Sequence, residues 1–210
     1  MDRMTDSAAL SAMLDQVLTW RRDVRHFRTD PVPEPQLDRL RAAMDKAPSV
    51  GNARPWRVLR VENPALRGQV QALFQRCNRA ARDSYDAAAA ADYARLKLAG
   101  IDRAPVQLAV FTETAPIEGR GLGRQTMPET LEQSTAMAVH TLWLVARAQG
   151  LGLGMMSILD PAEMARLCRV PASWRFFSYL CIGFPEFEDD TPLLHRAHWQ
   201  QNTKTQWEWR

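Results

Sequence analysis

The sequence lacks the features that mark secreted and membrane-spanning proteins. It has only three cysteines among 210 residues, and Cys77, Cys168 and Cys181 lie too far apart to form a Cys-x-x-Cys pair. We therefore expect free thiols rather than a disulfide framework. No stretch reaches the roughly 18 consecutive apolar residues of a membrane span, and the N-terminus carries acids instead of a signal peptide's apolar run. These absences predict a cytoplasmic protein without membrane contact.

The sequence also has little excess of positive over negative charge. The net charge is only +3, and the chain contains neither a long run of lysine or arginine nor interleaved basic and aromatic residues. Both absences argue against a nucleic-acid partner. A slight positive balance is compatible with a phosphorylated ligand, although it does not require one.

The remaining composition is that of an ordinary globular protein, with 46% hydrophobic and 24% charged residues. No repeat, linker or change of composition divides the chain, so we expect residues 1–210 to form one domain with one sizeable core. Apolar periodicity predicts about five helices that alternate with four strands. The strands are expected at 56–61, 106–112, 151–159 and 176–184. This alternation indicates an α+β domain of two or three layers.

Local signals place most of the helix ends. Ser7 is expected to cap a first helix whose apolar residues follow helical spacing. Those residues are Leu10, Met13, Leu14, Val17 and Leu18. Asn63 and Pro64 have the pattern of a cap and a first helical residue. After Ala80 the chain is rich in alanine and lacks a strong apolar stripe, and Gly100 is expected to end it. This segment is predicted to be a loosely held helical lid.

The most unusual stretch is Trp20–Phe27, WRRDVRHF, at the end of the first predicted helix. Arg21, Arg22 and Arg25 surround a single acid, Asp23, and Arg21 and Arg25 would share a face if helical geometry continued. Guanidinium groups suit phosphates and polar heterocycle edges, so the cluster is a candidate clamp for an anionic cofactor. The alternative is a solvated basic helix end. Asp23 would then be an ordinary ion-pair partner, unless burial against a cofactor tunes its pKa.

The glycine-rich stretch GLGLG at 150–154 is not a dinucleotide-binding fingerprint. That fingerprint requires a strand before the glycines and a helix after them, whereas here the glycines follow a helix and lead into a strand. Gly150 is expected to end the helix. Gly152 and Gly154 would allow a close approach, either by a planar ligand or by a neighbouring helix.

Other chemically active side chains favour structural interpretations. His195 and His198 have no Cys, Asp or Glu partners at ligand spacing, so no metal site is predicted. Ser157 lies within an apolar strand, without a nucleophile elbow or a relay. Cys168 and Cys181 look like core thiols.

Several motifs occur together in one order along the chain. They are RRDVRHF, APSVGNARPW, KLAGIDRAP, MPET followed by STAMAVHTLWLVARAQGLGLGMMSIL, and YLCIGFPEFE. In this combination the chain resembles the FMN-dependent nitroreductase superfamily, from about Leu18 to Trp199. General nitroreductases usually carry serine at the position of Asp23. The acid there, the KLAGI stretch and Ser157 together resemble the branch of the 5,6-dimethylbenzimidazole synthases, or flavin destructases.

The resemblance implies an α+β, nitroreductase-like fold in which helices flank a central sheet that is mostly antiparallel or mixed. It also implies an intertwined, domain-swapped homodimer with two FMN sites at the subunit interface. A helical lid at about 80–104 would cover the flavin. The polar, tryptophan-bearing tail at 185–210 is expected to pack on another surface, such as a partner subunit.

The resemblance also assigns roles to individual residues. Arg21, Arg22 and Arg25 would hold the phosphate and the polar edge of the flavin. Asp23 would be the acid/base that moves protons during carbon–carbon cleavage, and Ser157 would position the flavin or a peroxide intermediate. The remaining contacts would come from Ser49, Asn52 and Arg54 of the other chain or a separate loop, from Lys97 and Leu98 of the lid, and from backbone amides at Gly152 and Gly154.

The implied activity is the oxygen-dependent fragmentation of reduced FMN to 5,6-dimethylbenzimidazole, the lower ligand of cobalamin, and erythrose 4-phosphate. FMN would be the substrate, dioxygen the co-substrate, and an external flavin reductase the source of reduced flavin. An NAD(P)H-dependent nitroreductase or quinone-type oxidoreductase is one alternative, and a non-catalytic flavin-binding module is another. Three departures from the family bear on this choice. Ala53-Arg54 replaces a common Met-Gln, Met155-Met156 replaces a bulkier aromatic pair before Ser157, and the tail is shorter and lacks a basic residue expected near Asn202.

Overall fold

One antiparallel sheet with helices on both faces organises the fold. The computed structural model describes residues 7–96 and 98–210. Within these ranges the helices are α1 (Ser7–Trp20), α2 (Glu34–Met44), α3 (Pro64–Asp83), α4 (Ala87–Ala94), α5 (Thr130–Ala148), α6 (Pro161–Cys168) and α7 (Leu193–Arg196). The strands are β1 (Trp56–Arg60), β2 (Val106–Glu113), β3 (Gly152–Met156) and β4 (Trp174–Gly183). None of these helices is long and apolar enough to cross a bilayer.

The strand order is β1-β2-β4-β3, and every neighbouring pair is antiparallel. One row of partners crosses the whole sheet, from Leu59 through Ala109 and Tyr179 to Met156. β1 and β3 are therefore opposite edges, about 14 Å apart at three strand spacings. This all-antiparallel sheet confirms the predicted α+β class.

The sheet separates two hydrophobic clusters, which makes the architecture three-layered. Successive residues of a strand point to opposite faces, so Tyr179 belongs to one cluster and Leu180 to the other. The Tyr179 side is covered by α3 and α6, through residues such as Leu73 and Met164. The Leu180 side is covered by α2 and α5, through residues such as Leu142.

Several local predictions are confirmed. The Asn63 side chain accepts hydrogen bonds from the backbone N–H groups of Ala65 and Leu66 at 2.9 and 3.2 Å, and Pro64 begins α3. Gly150 follows α5 with a φ of 72°, a conformation that favours glycine. All four strands form at their expected places, although β3 ends at Met156 rather than at residue 159.

The arginine stretch is not helical, which corrects the expectation that Arg21 and Arg25 share a helix face. α1 ends at Trp20, and the chain then extends along the free edge of β3. The backbone N–H of Val24 donates to the Leu153 carbonyl at 3.0 Å, and Asp23 forms a parallel bridge with Leu153. The unpaired backbone groups of the β3 edge offer this segment hydrogen bonds that a helix end would leave to water.

The predicted lid is interrupted. α3 continues to Asp83, a turn follows, and α4 ends at Ala94, so Gly100 does not end a helix as expected. A Cβ atom at Gly100 would lie only 2.4 Å from the buried Phe27 ring. Glycine is needed there because Phe27 packs against the backbone.

α1 leaves its apolar stripe uncovered. No residue of α1 is buried, and Leu14 is 52% exposed. Leu10, Met13 and Leu18 are exposed as well. The helix has the predicted spacing, but the described part of the chain provides no surface that covers this face.

Candidate active site

A cleft lies at the β3 edge, between the extended arginine segment and the segment that follows β4. One wall carries Arg21, Arg22, Asp23 and Arg25. The facing residues include Trp143, Arg147, Phe187, Glu188, Asp189 and Arg196. The cleft thus brings the predicted basic cluster and its acid together beside a second group of charged side chains.

Asp23 and Arg25 are tied to the backbone of β3. One carboxylate oxygen of Asp23 accepts a hydrogen bond from the Met155 N–H at 2.9 Å, and the other contacts the Arg25 guanidinium. Arg25 in turn donates to the Met155 carbonyl at 2.8 Å. Both backbone groups of Met155 are therefore bonded to this pair, which fixes the position of the carboxylate.

The surroundings of Asp23 act on its pKa in opposite directions. Burial raises the pKa of the carboxyl above its ordinary range, while Arg25 and the Met155 N–H favour the charged form and lower it. The balance is a raised pKa. However, 42% of the Asp23 side chain remains accessible, so the group is packed against protein on one side and reachable from the cleft. A carboxyl of this kind is suited to proton transfer.

Arg21 and Arg22 are held by the tryptophan of α5. The Arg21 guanidinium lies 4.8 Å from the centroid of the Trp143 ring, a favourable cation–π arrangement. Burial, together with the charge of Arg22, lowers the pKa of Arg21. The Trp143 indole N–H donates to the Arg22 carbonyl at 3.3 Å.

Two donors of this cluster are buried without a partner in the described structure. They are Nε of Arg22 and Nη1 of Arg25. Buried charged donors are normally hydrogen-bonded, because leaving them unpaired costs free energy. The cleft is lined by Arg21, Arg22 and Arg25, and their guanidinium groups suit the phosphate and polar edge of a flavin, so the residues present fit that ligand.

The predicted glycines lie against the arginine segment. A Cβ atom at Gly154 would lie 2.2 Å from the Val24 carbonyl oxygen, and one at Gly152 would lie 2.9 Å from the Val24 side chain. The close approach predicted from their spacing exists, but the neighbour is an extended segment of the same chain rather than a helix. Contact between these glycines and a flavin stays a prediction.

Ser157 and Leu98 occupy less specific positions. Ser157 directly follows β3, two residues after Met155, and it is exposed. Leu98 is half-buried and packs against the cluster that contains Phe27. Lys97 lies outside the described residues.

Ser49, Asn52 and Arg54 are not brought to this cleft within one chain. They precede β1, at the sheet edge opposite β3. The Ser49 hydroxyl accepts a hydrogen bond from the Arg54 N–H at 3.1 Å, and Asn52 and Arg54 have φ values of 54° and 44°. This tight loop is well defined, but it belongs to a separate half of any site that uses both sets of residues.

The remaining cysteine and histidine predictions concern structure. Burial raises the pKa of the Cys181 thiol to about 12 and also raises the pKa of Cys168, which disfavours a nucleophilic role. Nδ1 of His195 accepts from the Asn202 N–H at 3.1 Å, and His198 is exposed. Across residues 7–96 and 98–210, no group of three or more potential ligands could hold a metal ion.

The lid contacts the C-terminal segment. The rings of Tyr85 and Tyr93 lie 5.4 Å apart, and Trp199 meets them edge-on at 5.6 and 6.1 Å. The Tyr93 hydroxyl also donates to Asn78 of α3 at 2.7 Å. One end of the lid is thus attached to α3 and to the tail.

Sequence reasoning missed the contact of Trp143 with Arg21 and the backbone contacts of Met155. Trp143 is one aromatic residue in a helix that is apolar on several sides, so its contact with Arg21 has no sequence signal. Met155 contributes backbone groups, which any residue type supplies. The small residues at Gly152 and Gly154 were the available signal that another backbone lies beside this strand.

The fold is shared with a protein whose crystal structure contains FMN. The crystal structure of oxidized iodotyrosine deiodinase bound to FMN and 3-iodo-L-tyrosine is similar with a TM-score of 0.73, covering 94% of this chain and 97% of that chain at 24% identity. The model of the nitroreductase family matches residues 18–184. The chain therefore belongs to the nitroreductase family.

Relatives with much higher identity share one name. A 5,6-dimethylbenzimidazole synthase of Rhodobacter capsulatus is 63% identical over 195 residues, which are 93% of this chain and 94% of that protein. The 5,6-dimethylbenzimidazole synthase of Rhodospirillum rubrum is 53% identical over 187 residues, 89% of each chain.

Proposed function

We propose that this protein is a 5,6-dimethylbenzimidazole synthase that fragments reduced FMN in the presence of dioxygen. The observation that carries the proposal is the Asp23 carboxylate, held by Met155 and Arg25 at the edge of a cleft whose guanidinium donors are partly unpaired. The relatives with 53% and 63% identity carry this name. FMN is the substrate, and it supplies both the electrons and the carbon skeleton of the product.

The basic cluster would bind the flavin. Nε of Arg22 and Nη1 of Arg25 are buried donors without partners, and Arg21 is positioned by the Trp143 ring. Their charges suit the phosphate and the polar edge of the ring system.

Asp23 would hold and move protons. Its raised pKa and its accessible face allow it to exchange a proton with a bound molecule, while Met155 and Arg25 keep the carboxylate in place. Ser157 follows the same strand and presents an exposed hydroxyl that can donate or accept a hydrogen bond. We therefore assign Asp23 the acid/base role and Ser157 a positioning role.

The complete site would require a homodimer. The arginine cluster and the loop of Ser49, Asn52 and Arg54 lie at opposite edges of one sheet, so a single flavin would contact both only through two chains. The uncovered stripe of α1, with Leu14 52% exposed, and the tail with Trp209 91% exposed are apolar surfaces that a second copy would cover.

An external flavin reductase would supply the reduced FMN. The chain would act in the cytoplasm, and its three cysteines are free thiols, which suits a reducing compartment. On this proposal the protein itself oxidises little NAD(P)H. Dioxygen would enter as a co-substrate once the reduced flavin is enclosed.

The test combines the purified protein with FMN, a separate flavin reductase, NADH and air, and detects 5,6-dimethylbenzimidazole by chromatography. Formation of the product supports the proposal. NADH consumption without the separate reductase, together with reduction of nitroaromatic compounds, would instead identify an NAD(P)H-dependent oxidoreductase. Flavin binding with neither outcome would identify a binding module.

Asp23→Asn tests the acid/base assignment. The amide keeps an oxygen that can accept from the Met155 N–H, so flavin affinity should stay within about threefold while product formation falls at least about 100-fold. The matched control is Asp30→Asn, because Asp30 is an exposed acid paired with Arg28 away from the cleft. A fully active Asp23→Asn variant would refute the role of Asp23.

A further inference from the structure

A buried polar pair lies behind the site, on the central strands. Tyr179 and Gln107 are 0% and 2% exposed. The Tyr179 hydroxyl donates to the Gln107 side-chain oxygen at 2.7 Å, and the Gln107 amide nitrogen donates to the carbonyls of Ile101 and Ala104 at 2.9 and 3.3 Å. Tyr179 therefore sets the orientation of the carboxamide, whose two N–H groups bind the turn at residues 100–104. Burial also raises the pKa of Tyr179, so its hydroxyl stays protonated and remains a donor.

The turn at residues 100–104 is held from several directions. Within it, the N–H groups of Arg103 and Ala104 donate to the Gly100 carbonyl at 3.2 and 3.0 Å. Arg67 of α3 donates to the Pro105 carbonyl at 3.0 Å, directly after the turn. The turn is consequently fixed to the sheet and to α3, whereas the residues of α4 are mostly exposed.

The same turn contacts the arginine segment. A Cβ atom at Gly100 would lie 2.4 Å from the Phe27 ring and 3.2 Å from the Arg25 carbonyl oxygen. Phe27 is fully buried and cannot withdraw easily. A shift of Gly100 toward this side would therefore press on the Phe27 ring and on the backbone of Arg25, whose side chain contacts Asp23.

We infer that Gln107 and Tyr179 are positioning residues, which fix the turn at residues 100–104 and thereby align both the base of the lid and the Arg25–Asp23 pair. Neither side chain reaches the cleft, and both act through the turn. The catalytic part of this inference depends on the proposed function, whereas the placement of the turn can be measured independently of it.

Two variants test the inference in the full-length protein. Gln107→Met keeps the size of the side chain but removes all three hydrogen bonds, and Tyr179→Phe removes only the bond that orients the carboxamide. The control is Thr112→Val on β2 of the same sheet, which deletes a buried hydrogen bond to Thr135 of α5, away from the turn. Thr112 is 0% exposed, so the control also removes a hydrogen bond from the buried core.

Hydrogen exchange at the turn is the first readout. We expect the amides of Arg103 and Ala104 to exchange about tenfold faster in Gln107→Met than in Thr112→Val, with Tyr179→Phe between them, because each lost hydrogen bond frees the turn. The second readout is product formation at saturating FMN, expected to fall about tenfold. A purely structural role would lower the free energy of unfolding without lowering product formation by the folded protein.

Each result decides one point. Exchange at Arg103 and Ala104 equal to that of Thr112→Val would overturn the inference, and so would faster exchange with full product yield. If wild-type protein forms no 5,6-dimethylbenzimidazole, the proposed function fails instead. In that case, hydrogen exchange of the Arg25 and Phe27 amides tests whether Gln107 positions the arginine segment. The inference requires these amides to exchange faster in Gln107→Met than in Thr112→Val.

Discussion

The two edges of the sheet are built differently, although both lie beside residues with predicted flavin contacts. At the β3 edge the chain covers its own strand, since Val24 bonds to Leu153 and the Asp23–Arg25 pair bonds to Met155. At the β1 edge the described part of the chain provides no further strand. On the proposed function, one half of the site would be completed within the subunit, while the other half would be an ordered loop that contributes to the site of a partner subunit.

The largest effect is expected from mixing two inactive chains. One chain carries Asp23→Asn, and the other carries Asn52→Ala and Arg54→Ala. If each site combines the β3 edge of one subunit with the loop of the other, a mixed dimer has one intact site. Random mixing should then restore about one quarter of wild-type product formation, because half of the dimers are mixed and each has one of two sites.

The control for this experiment mixes each inactive chain with itself after the same unfolding and refolding. Both samples should remain below a few per cent of wild-type activity. No recovery in the true mixture, despite dimers shown by sedimentation, would mean that the two edges do not form a shared site.

Gly154→Ala is the most direct way to disturb the covered edge. The new Cβ atom would lie 2.2 Å from the Val24 carbonyl oxygen, and this backbone atom cannot move without breaking its segment away from β3. We expect a loss of about 3 kcal/mol in the free energy of unfolding, measured with urea.

Gly68→Ala is the matched control, since nothing lies within 4 Å of its Cβ position. This control should be neutral or gain about 0.5–1 kcal/mol, because alanine is favoured within a helix. Equal stabilities of the two variants would contradict the close packing.

The same substitution, arginine to methionine, can be made beside each edge of the sheet to compare how tightly the β3 and β1 edges are held. Arg25→Met removes the contact with Asp23 and the bond to the Met155 carbonyl, and should lower the free energy of unfolding by about 2 kcal/mol because the acid loses its partner. Arg57→Met on β1 removes bonds only to the Arg54 and Trp56 carbonyls. Its cost should stay below about 1 kcal/mol. Urea unfolding measures both losses. A larger loss for Arg57→Met than for Arg25→Met would show that the β1 edge is the more tightly packed one.

The smallest effect concerns pH. Because burial raises the pKa of native Asp23, the native state binds this proton more tightly than the unfolded state does. The free energy of unfolding of the wild type relative to Asp23→Asn should therefore fall as the pH rises from the unfolded pKa of about 3.9 through the raised native pKa.

Asp30 provides a control, because its contribution to stability should depend on pH in the opposite direction. Its pKa is lowered by Arg28, so its contribution is present above the unfolded value and is lost as pH falls. Urea unfolding of the wild type, Asp23→Asn and Asp30→Asn at several pH values measures both contributions. If the two contributions changed with pH in the same direction, the burial described for Asp23 would be contradicted.

Much of this molecule could be predicted from local sequence. The cap at Asn63, the break after α5 and all four strands depend on neighbouring residues, whose turn and capping preferences act over a few positions. The family could also be identified, because its motifs occur together in one order. The assignments of Asp23, Ser157 and the flavin contacts stay predictions.

Other features depend on contacts between distant parts of the chain. Nothing within Trp20–Phe27 indicates which strand the segment extends along, because the edge of β3 that it covers lies about 130 residues later in the chain. Gly100 resembled a helix terminator, but its small size serves the ring of Phe27. The sequence alone therefore determined the four strands, the start of α3, the break after α5 and the family of this protein. Only the tertiary structure decided which backbone Gly154 faces and which edge of the sheet remains open, because both depend on packing between segments that local preferences do not connect.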